Sequence, residues 1–154
     1  MKILVIDDDH LVRYTLSKIL SRNGYEVVTA ADGKRGMALL RNEHLDLVIT
    51  DIIMPEQEGI DTIIKLRCER PGIKIIAISG GGRIRNIDFL EMARSLGADD
   101  VIAKPFEVDD LLSRLARLGL PAAGDGTLLA SRSNEAAQSS APADGSNRQV
   151  TSSC

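Results

Sequence analysis

The chain has 154 residues, of which 44% are hydrophobic, enough for one domain of ordinary size with a genuine buried core. Aromatic residues make up only 3% and Trp is absent, so that core must be aliphatic. A formal charge of -3 is too mild to suggest either a strongly basic nucleic-acid surface or a disordered polyanion.

The first apolar run, Ile3–Ile6, is cut off by Asp7-Asp8-Asp9. It is too short for a signal peptide and far short of the roughly twenty apolar residues of a membrane span. A cytoplasmic protein without membrane association is therefore expected. Further short runs follow at Tyr25–Thr29, Leu45–Thr50, Ile73–Ile78 and Val101–Ala103, most of them rich in Val and Ile. Runs apolar on both faces suit strands of a parallel sheet covered on both sides.

Helical spacing fills the intervals. Val12, Leu16, Ile19 and Leu20 form one stripe, with Asp9 as N-cap and Gly24 as its stop. Asp32 is a plausible N-cap for a second helix, and Ile60, Ile63, Ile64 and Arg67 mark a third. Leu90, Ala93 and Leu96 make a looser fourth, capped by Asn86 or Asp88 and stopped at Gly97; Val108, Leu111, Leu112 and Leu115 make a fifth. Strand and helix thus alternate five times, which with right-handed crossovers predicts an α/β doubly wound parallel sheet with helices on both faces over residues 1–118. Residues 119–154 are rich in Ala, Ser and Gly without a sustained apolar period, so a disordered low-complexity tail is expected, with at most a transient turn near Thr127–Leu129. Cys68 and Cys154 are the only cysteines and read as free thiols of a reducing compartment.

Ligands of an open α/β sheet sit beyond the carboxyl ends of its strands. There the sequence places Asp7-Asp8-Asp9, Asp51, Ser79-Gly80-Gly81-Gly82 and Lys104-Pro105. Two carboxylates about 4 Å apart repel by roughly 4 kcal/mol at an effective dielectric near 20, so their convergence calls for a cation. All-oxygen ligation suits Mg²⁺ or Mn²⁺, which shares its coordination with phosphate. Lys104 offers a point charge to a phosphoryl oxygen and Ser79 a hydroxyl, and phosphoryl transfer asks for little more than such positioning and neutralisation.

The stretches Ile3–Asp9, Leu47–Pro55 with Gly59, Ile76–Ser79, and Gly97–Asp100 through Lys104-Pro105-Phe106 together resemble the receiver domain of bacterial two-component response regulators, of the single-domain, CheY-like kind. The resemblance implies a flavodoxin-like five-stranded sheet of order 2-1-3-4-5. It implies Asp51 as phosphoacceptor and Mg²⁺ held by Asp7, Asp8, Asp51 and the backbone carbonyl of Ile53, Asp7 acting through water. It implies Lys104 and Ser79 on the phosphoryl group and a cis bond before Pro105. A histidine kinase, a phosphotransfer protein or a small acyl phosphate would be the donor. The chain would then be no enzyme in the usual sense, but a phosphoacceptor that assists its own phosphorylation and dephosphorylation. Its output in the phosphorelay would be a protein-interaction surface of helix four, strand five and helix five, read by a downstream protein, without direct nucleic-acid binding.

Three features depart from that family's pattern. Val101 stands where Tyr or Phe usually precedes the lysine by three residues, Gly80 stands where Ala is common, and no output domain is expected in the tail. Val101 cannot reproduce the swing of a ring, which leaves room for an alternative: a receiver-like docking module that works without phosphorylation. A haloacid-dehalogenase-type site with Asp7 as nucleophile is a further alternative, disfavoured by Leu11 and the short chain. His10 reads as an exposed first-turn residue, His44 carries no role, and Arg83 and Arg85 read as a solvated edge. Gly80–Gly82 lack the Gly-Lys-Ser/Thr of a phosphate loop.

Overall fold

The structure is a computed structural model that describes residues 1–55, 58–80 and 90–123. The candidate caps Asn86 and Asp88, the residues Gly81, Gly82, Arg83 and Arg85, and the chain beyond residue 123 lie outside the described residues.

The elements alternate as the apolar runs require. They are β1 (Lys2–Ile6), α1 (His10–Arg22), β2 (Glu26–Ala30), α2 (Gly33–Asn42), β3 (Leu47–Asp51), α3 (Glu58–Glu69) and β4 (Lys74–Ser79). Helical residues 90–95 (α4), β5 (Asp100–Ala103) and α5 (Val108–Arg117) complete the order. The strands form one parallel five-stranded sheet in the order β2-β1-β3-β4-β5. Tyr25, Leu45 and Ile73 are buried but precede the first ladder pair of their strands, so those strands begin later than the apolar runs.

Alternation along the strands divides the core between the faces of the sheet. Ile3, Val5, Ile49, Ile76 and Ile102 pack under α1 and α5 with Leu16, Leu20, Leu111 and Leu115. Leu4, Ile6, Val48, Ile75 and Val101 pack under α2, α3 and α4 with Met37, Leu40, Ile63, Leu66 and Ala93. Asp9 and Asp32 cap α1 and α2, accepting from the N–H groups of Leu11 and Arg35.

The stripe of α3 differs from the spacing read above. Ile64 is 41% exposed, whereas Thr62, Ile63 and Leu66 face the sheet. The contact face runs through Gly59, Thr62, Ile63 and Leu66, an i, i+3, i+4, i+7 set that places Ile64 on the solvent side. On α2, Met37 and Leu40 share the contact with a missing side chain: a Cβ on Gly36 would lie 2.4 Å from Ile6 Cδ1. At Gly36 itself the close approach leaves no apolar side chain for a sequence pattern to register.

Packing does not stop at Leu118. Leu120 is 5% exposed, its carbonyl accepts a 2.6 Å bond from the Tyr25 hydroxyl, and Ala123 N–H donates to Asn23 O at 3.2 Å. Residues 119–123 therefore form a strap over the end of α1 and the start of β2. Among the described residues, no helix is long and apolar enough to cross a membrane.

Candidate functional site

Because all five strands run the same way, the residues that end them meet at one edge of the sheet. Asp7 directly follows β1, Asp51 and Ser79 are the last residues of β3 and β4, and Lys104 directly follows β5. The β3–β4 register pairs Asp51 with Ile78, and the β4–β5 register pairs Ser79 with Ala103, which brings these ends side by side.

Carboxylate oxygens of Asp7, Asp8 and Asp51 all lie within 4.8 Å of one another. Asp7 and Asp51 are buried at 2% and 7% exposure, whereas Asp8 faces solvent. Lys104 Nζ donates to Asp7 Oδ2 and Asp51 Oδ2, both at 2.8 Å. One ammonium thus bridges two carboxylates, and a third stands beside them. Ser79 is fully buried, and its carbonyl accepts the Lys104 N–H at 2.7 Å, which ties the base of the lysine to β4.

Burial raises Asp51 above the ordinary carboxylate range; Lys104 and the Ile53 N–H oppose that rise, while neighbouring Asp7 adds to it. Burial also pulls Lys104 down, but its hydrogen bonds to Asp51 and Asp7 outweigh that, and its pKa is raised. The carboxylates and the ammonium are therefore mutually dependent. Either charge left alone would be a poorly solvated ion.

Local geometry fixes the acids. Asp51 Oδ1 accepts the Ile53 N–H at 3.0 Å, and the Ile52 N–H reaches across to Ile78 O at 2.8 Å. Gly59, in the first turn of α3, lies against the same segment: a Cβ there would be 2.3 Å from Asp51 O and 2.4 Å from Ile52 O. No side chain can occupy that position without moving the phosphoacceptor candidate's own backbone. Gly80 similarly leaves room for Lys104, since a Cβ there would lie 3.0 Å from Lys104 Cδ. The Lys104–Pro105 bond is cis.

The remaining acidic and basic candidates separate cleanly. Asp9 is an N-cap, its carboxylate accepting the Leu11 N–H at 2.7 Å, and is outside the carboxylate cluster. His10 is exposed and stacks on Tyr14 at 6.5 Å between ring centroids. Val101 is 7% exposed and sits in the core under α4. Sequence reasoning passed over Arg13, whose Nη1 donates to Asp7 O at 2.6 Å and Asp8 O at 3.0 Å. A signal existed: Arg13 follows the Asp9 cap by one helical turn, and long helical side chains lean back toward the N-terminus.

Comparison with known proteins bears on the same residues. The family model described as response regulator receiver domain matches residues 3–116. A probable transcriptional regulator, ycf27 of Cyanophora paradoxa, is 42% identical over 118 residues, covering 76% of this chain and 47% of that protein. The response regulator MprA of Mycolicibacterium vanbaalenii is 34% identical over 122 residues, covering 77% and 50%. The chain thus spans about half the length of the curated relatives it matches. Among solved structures, a CheY-like receiver domain protein from Methanospirillum hungatei shares 35% identity at a TM-score of 0.68, covering 77% of this chain and 93% of that one. The chemotaxis protein CheY4 of Vibrio cholerae shares 28% identity at a TM-score of 0.67, covering 76% and 97%. With its parallel sheet, its acidic edge and this match over most of its length, the chain belongs to the response regulator receiver domain family of two-component signalling.

Proposed function

We propose that Asp51 accepts a phosphoryl group and that the resulting aspartyl phosphate switches a protein-interaction surface. The observation that carries this reading is the single ammonium of Lys104, 2.8 Å from both Asp7 and Asp51, amid three converging carboxylates. A carboxylate oxygen of Asp51 attacks the phosphorus of the donor. The bond from phosphorus to the leaving group breaks, and that group departs with the bonding pair. The donor is a phosphohistidine of a kinase or phosphotransfer protein, or a small acyl phosphate. Water later attacks the acyl phosphate, releasing inorganic phosphate and restoring the carboxylate.

The donor set fits a hard divalent cation: the clustered ligand atoms are carboxylate oxygens, one of the three residues is open to water, and among the described residues their carboxylates are ion-paired by one ammonium alone. Asp7, Asp8, Asp51 and the backbone carbonyl of Ile53 would hold Mg²⁺ there. The chemistry such an ion supplies when bound is neutralisation of the phosphoryl oxygens. Lys104 trades a carboxylate partner for a phosphoryl oxygen, and the Ser79 hydroxyl donates to another. The β3 backbone, buttressed by Gly59, holds the nucleophile in line.

The surface carrying the output is that of α4, β5 and α5, and the downstream reader is a protein. Neither nucleic acid nor membrane is a direct partner on this reading; the charge of -3 offers no basic footprint. The setting proposed is the cytoplasm. The receiver unit proposed is residues 1–118, onto which residues 119–123 pack as a strap.

One observation favours a second reading, a docking module that works without phosphorylation. Val101 is locked in the core where an aromatic switch would stand. Intact-protein mass after incubation with acetyl phosphate, with and without Mg²⁺, separates the two. A Mg²⁺-dependent, hydrolysable phosphoryl adduct in the wild type and none in Asp51→Asn is the expected result. No adduct under any donor would select the docking module. If the adduct forms, near-identical amide shifts around Val101 with and without a phosphoryl mimic would mean that valine couples the site only weakly to that surface, and large changes there would count against weak coupling.

A further inference from the structure

We propose that Arg13 is a positioning residue that sets the cation affinity of the site; the inference rests on the reading of Asp7 and Asp8 as cation ligands. Asp8 is exposed, and among the described residues no hydrogen bond or ion pair is formed by its carboxylate. What fixes Asp8 is therefore its backbone. That backbone is tied at both sides. The Asp9 N–H donates to Asp7 Oδ1 at 2.9 Å, and Arg13 Nη1 bridges the carbonyls of Asp7 and Asp8 at 2.6 and 3.0 Å. Arg13 is itself anchored in α1, its N–H bonded to Asp9 O at 3.1 Å. The guanidinium thus clamps the two residues whose side chains would hold the ion, from beneath, without taking up a carboxylate. It also satisfies the carbonyls of Asp7 and Asp8, which follow the last residue of β1.

The sign of the effect separates this role from simple electrostatics. A guanidinium near a cation site repels the cation, so removing its charge would by itself tighten binding. A clamp acts oppositely: without it the Asp7–Asp8 backbone samples geometries in which the carboxylates do not converge. Residues that orient ligands typically change metal affinity by about 10- to 100-fold when replaced.

The test uses the full chain with Arg13→Gln and Arg13→Lys. Mg²⁺ is titrated without phosphodonor and followed by the amide shifts of Asp8 and Asp9. Phosphoryl uptake from acetyl phosphate is then measured against Mg²⁺ concentration. The Mg²⁺ dissociation constant should rise by about 10-fold in Arg13→Gln. The rise should be smaller in Arg13→Lys, whose ammonium satisfies fewer carbonyls. The uptake rate at saturating Mg²⁺ should match wild type, because Arg13 touches no reacting atom. An unchanged or tightened Mg²⁺ affinity in Arg13→Gln overturns the proposal. If that variant does not fold, an unchanged affinity in Arg13→Lys overturns it. Failure of the wild type to bind Mg²⁺ would instead sink the reading of the acids as a ligand set, so the two failures are distinguishable.

Discussion

Charged residues cluster at both ends of the sheet, yet the two clusters are built differently. At the amino ends of β4 and β5, Arg67 donates to Gly97 O at 2.7 Å, Pro71 O at 2.8 Å and Ile73 O at 2.6 Å, and pairs with Asp99. Asp99 in turn accepts the Ile75 N–H at 2.8 Å and lies 3.6 Å from Lys74 Nζ. Both oxygens of Asp99 have partners, and the one excess positive charge, on Lys74, stays in contact with solvent at 43% exposure. At the carboxyl ends, three carboxylates converge, one ammonium bridges two of them, and those two are buried. The first cluster closes the α4–β5 connection against α3. The second keeps a surplus of negative charge, which costs stability and which, on the proposed reading, a divalent cation and a phosphoryl group resolve. On the proposed reading, buried charge without a full set of partners, more than charge density, marks the functional end.

Breaking each cluster should expose that difference. Arg67→Ala removes the guanidinium from three carbonyls and leaves Asp99 short of a partner, so it should lower stability by about 3 kcal/mol. Urea denaturation should show the loss with and without Mg²⁺ alike. Lys104→Met should cost about 2 kcal/mol in metal-free buffer, because Asp7 and Asp51 lose their shared donor. Here the loss relative to wild type should shrink at equal Mg²⁺ concentration, because the ion takes over the neutralisation that Lys104 supplied and so binds Lys104→Met more tightly than wild type. Recovery in Arg67→Ala, or none in Lys104→Met, would erase the distinction.

A smaller effect concerns pH. Burial raises the Asp51 pKa, so the folded state holds that proton more tightly than the unfolded chain. Its contribution is fully present below the ordinary 3.8 of the carboxyl and is lost as pH rises through the raised value. Asp51→Asn should remove that decline, measured as the denaturation midpoint in metal-free buffer across the acid limb. The raised Lys104 pKa acts at the other extreme, its contribution present below 10.5 and lost as pH climbs through the raised value. The smallest effect belongs to a pair outside both clusters. Arg41 and Glu69 are ion-paired on the surface, Arg41 at 62% exposure, and Arg41→Ala should leave the denaturation midpoint unchanged within error.

The sequence by itself determined much of this molecule. Apolar runs too short for helices, and apolar on both sides, could only be strands of a covered sheet; helical stripes between them forced parallel crossovers. Asp7, Asp51, Ser79 and Lys104 each end or immediately follow such a run, so any parallel arrangement delivers them to one edge. That these four residues share one edge was therefore legible before the geometry. What only the tertiary structure decided are contacts made through backbone atoms or through the absence of a side chain. Arg13 acts on two carbonyls, Gly59 and Gly36 act by close approach, and Leu120 is tied by its carbonyl to Tyr25. The phase of α3, with Leu66 inward and Ile64 outward, belongs with them, since both residue types are equally apolar and only the packed sheet distinguishes them. Residue type carries periodicity and charge along the chain, whereas a carbonyl or a missing Cβ is the same in every sequence context. Its role appears only when folding brings a distant group against it.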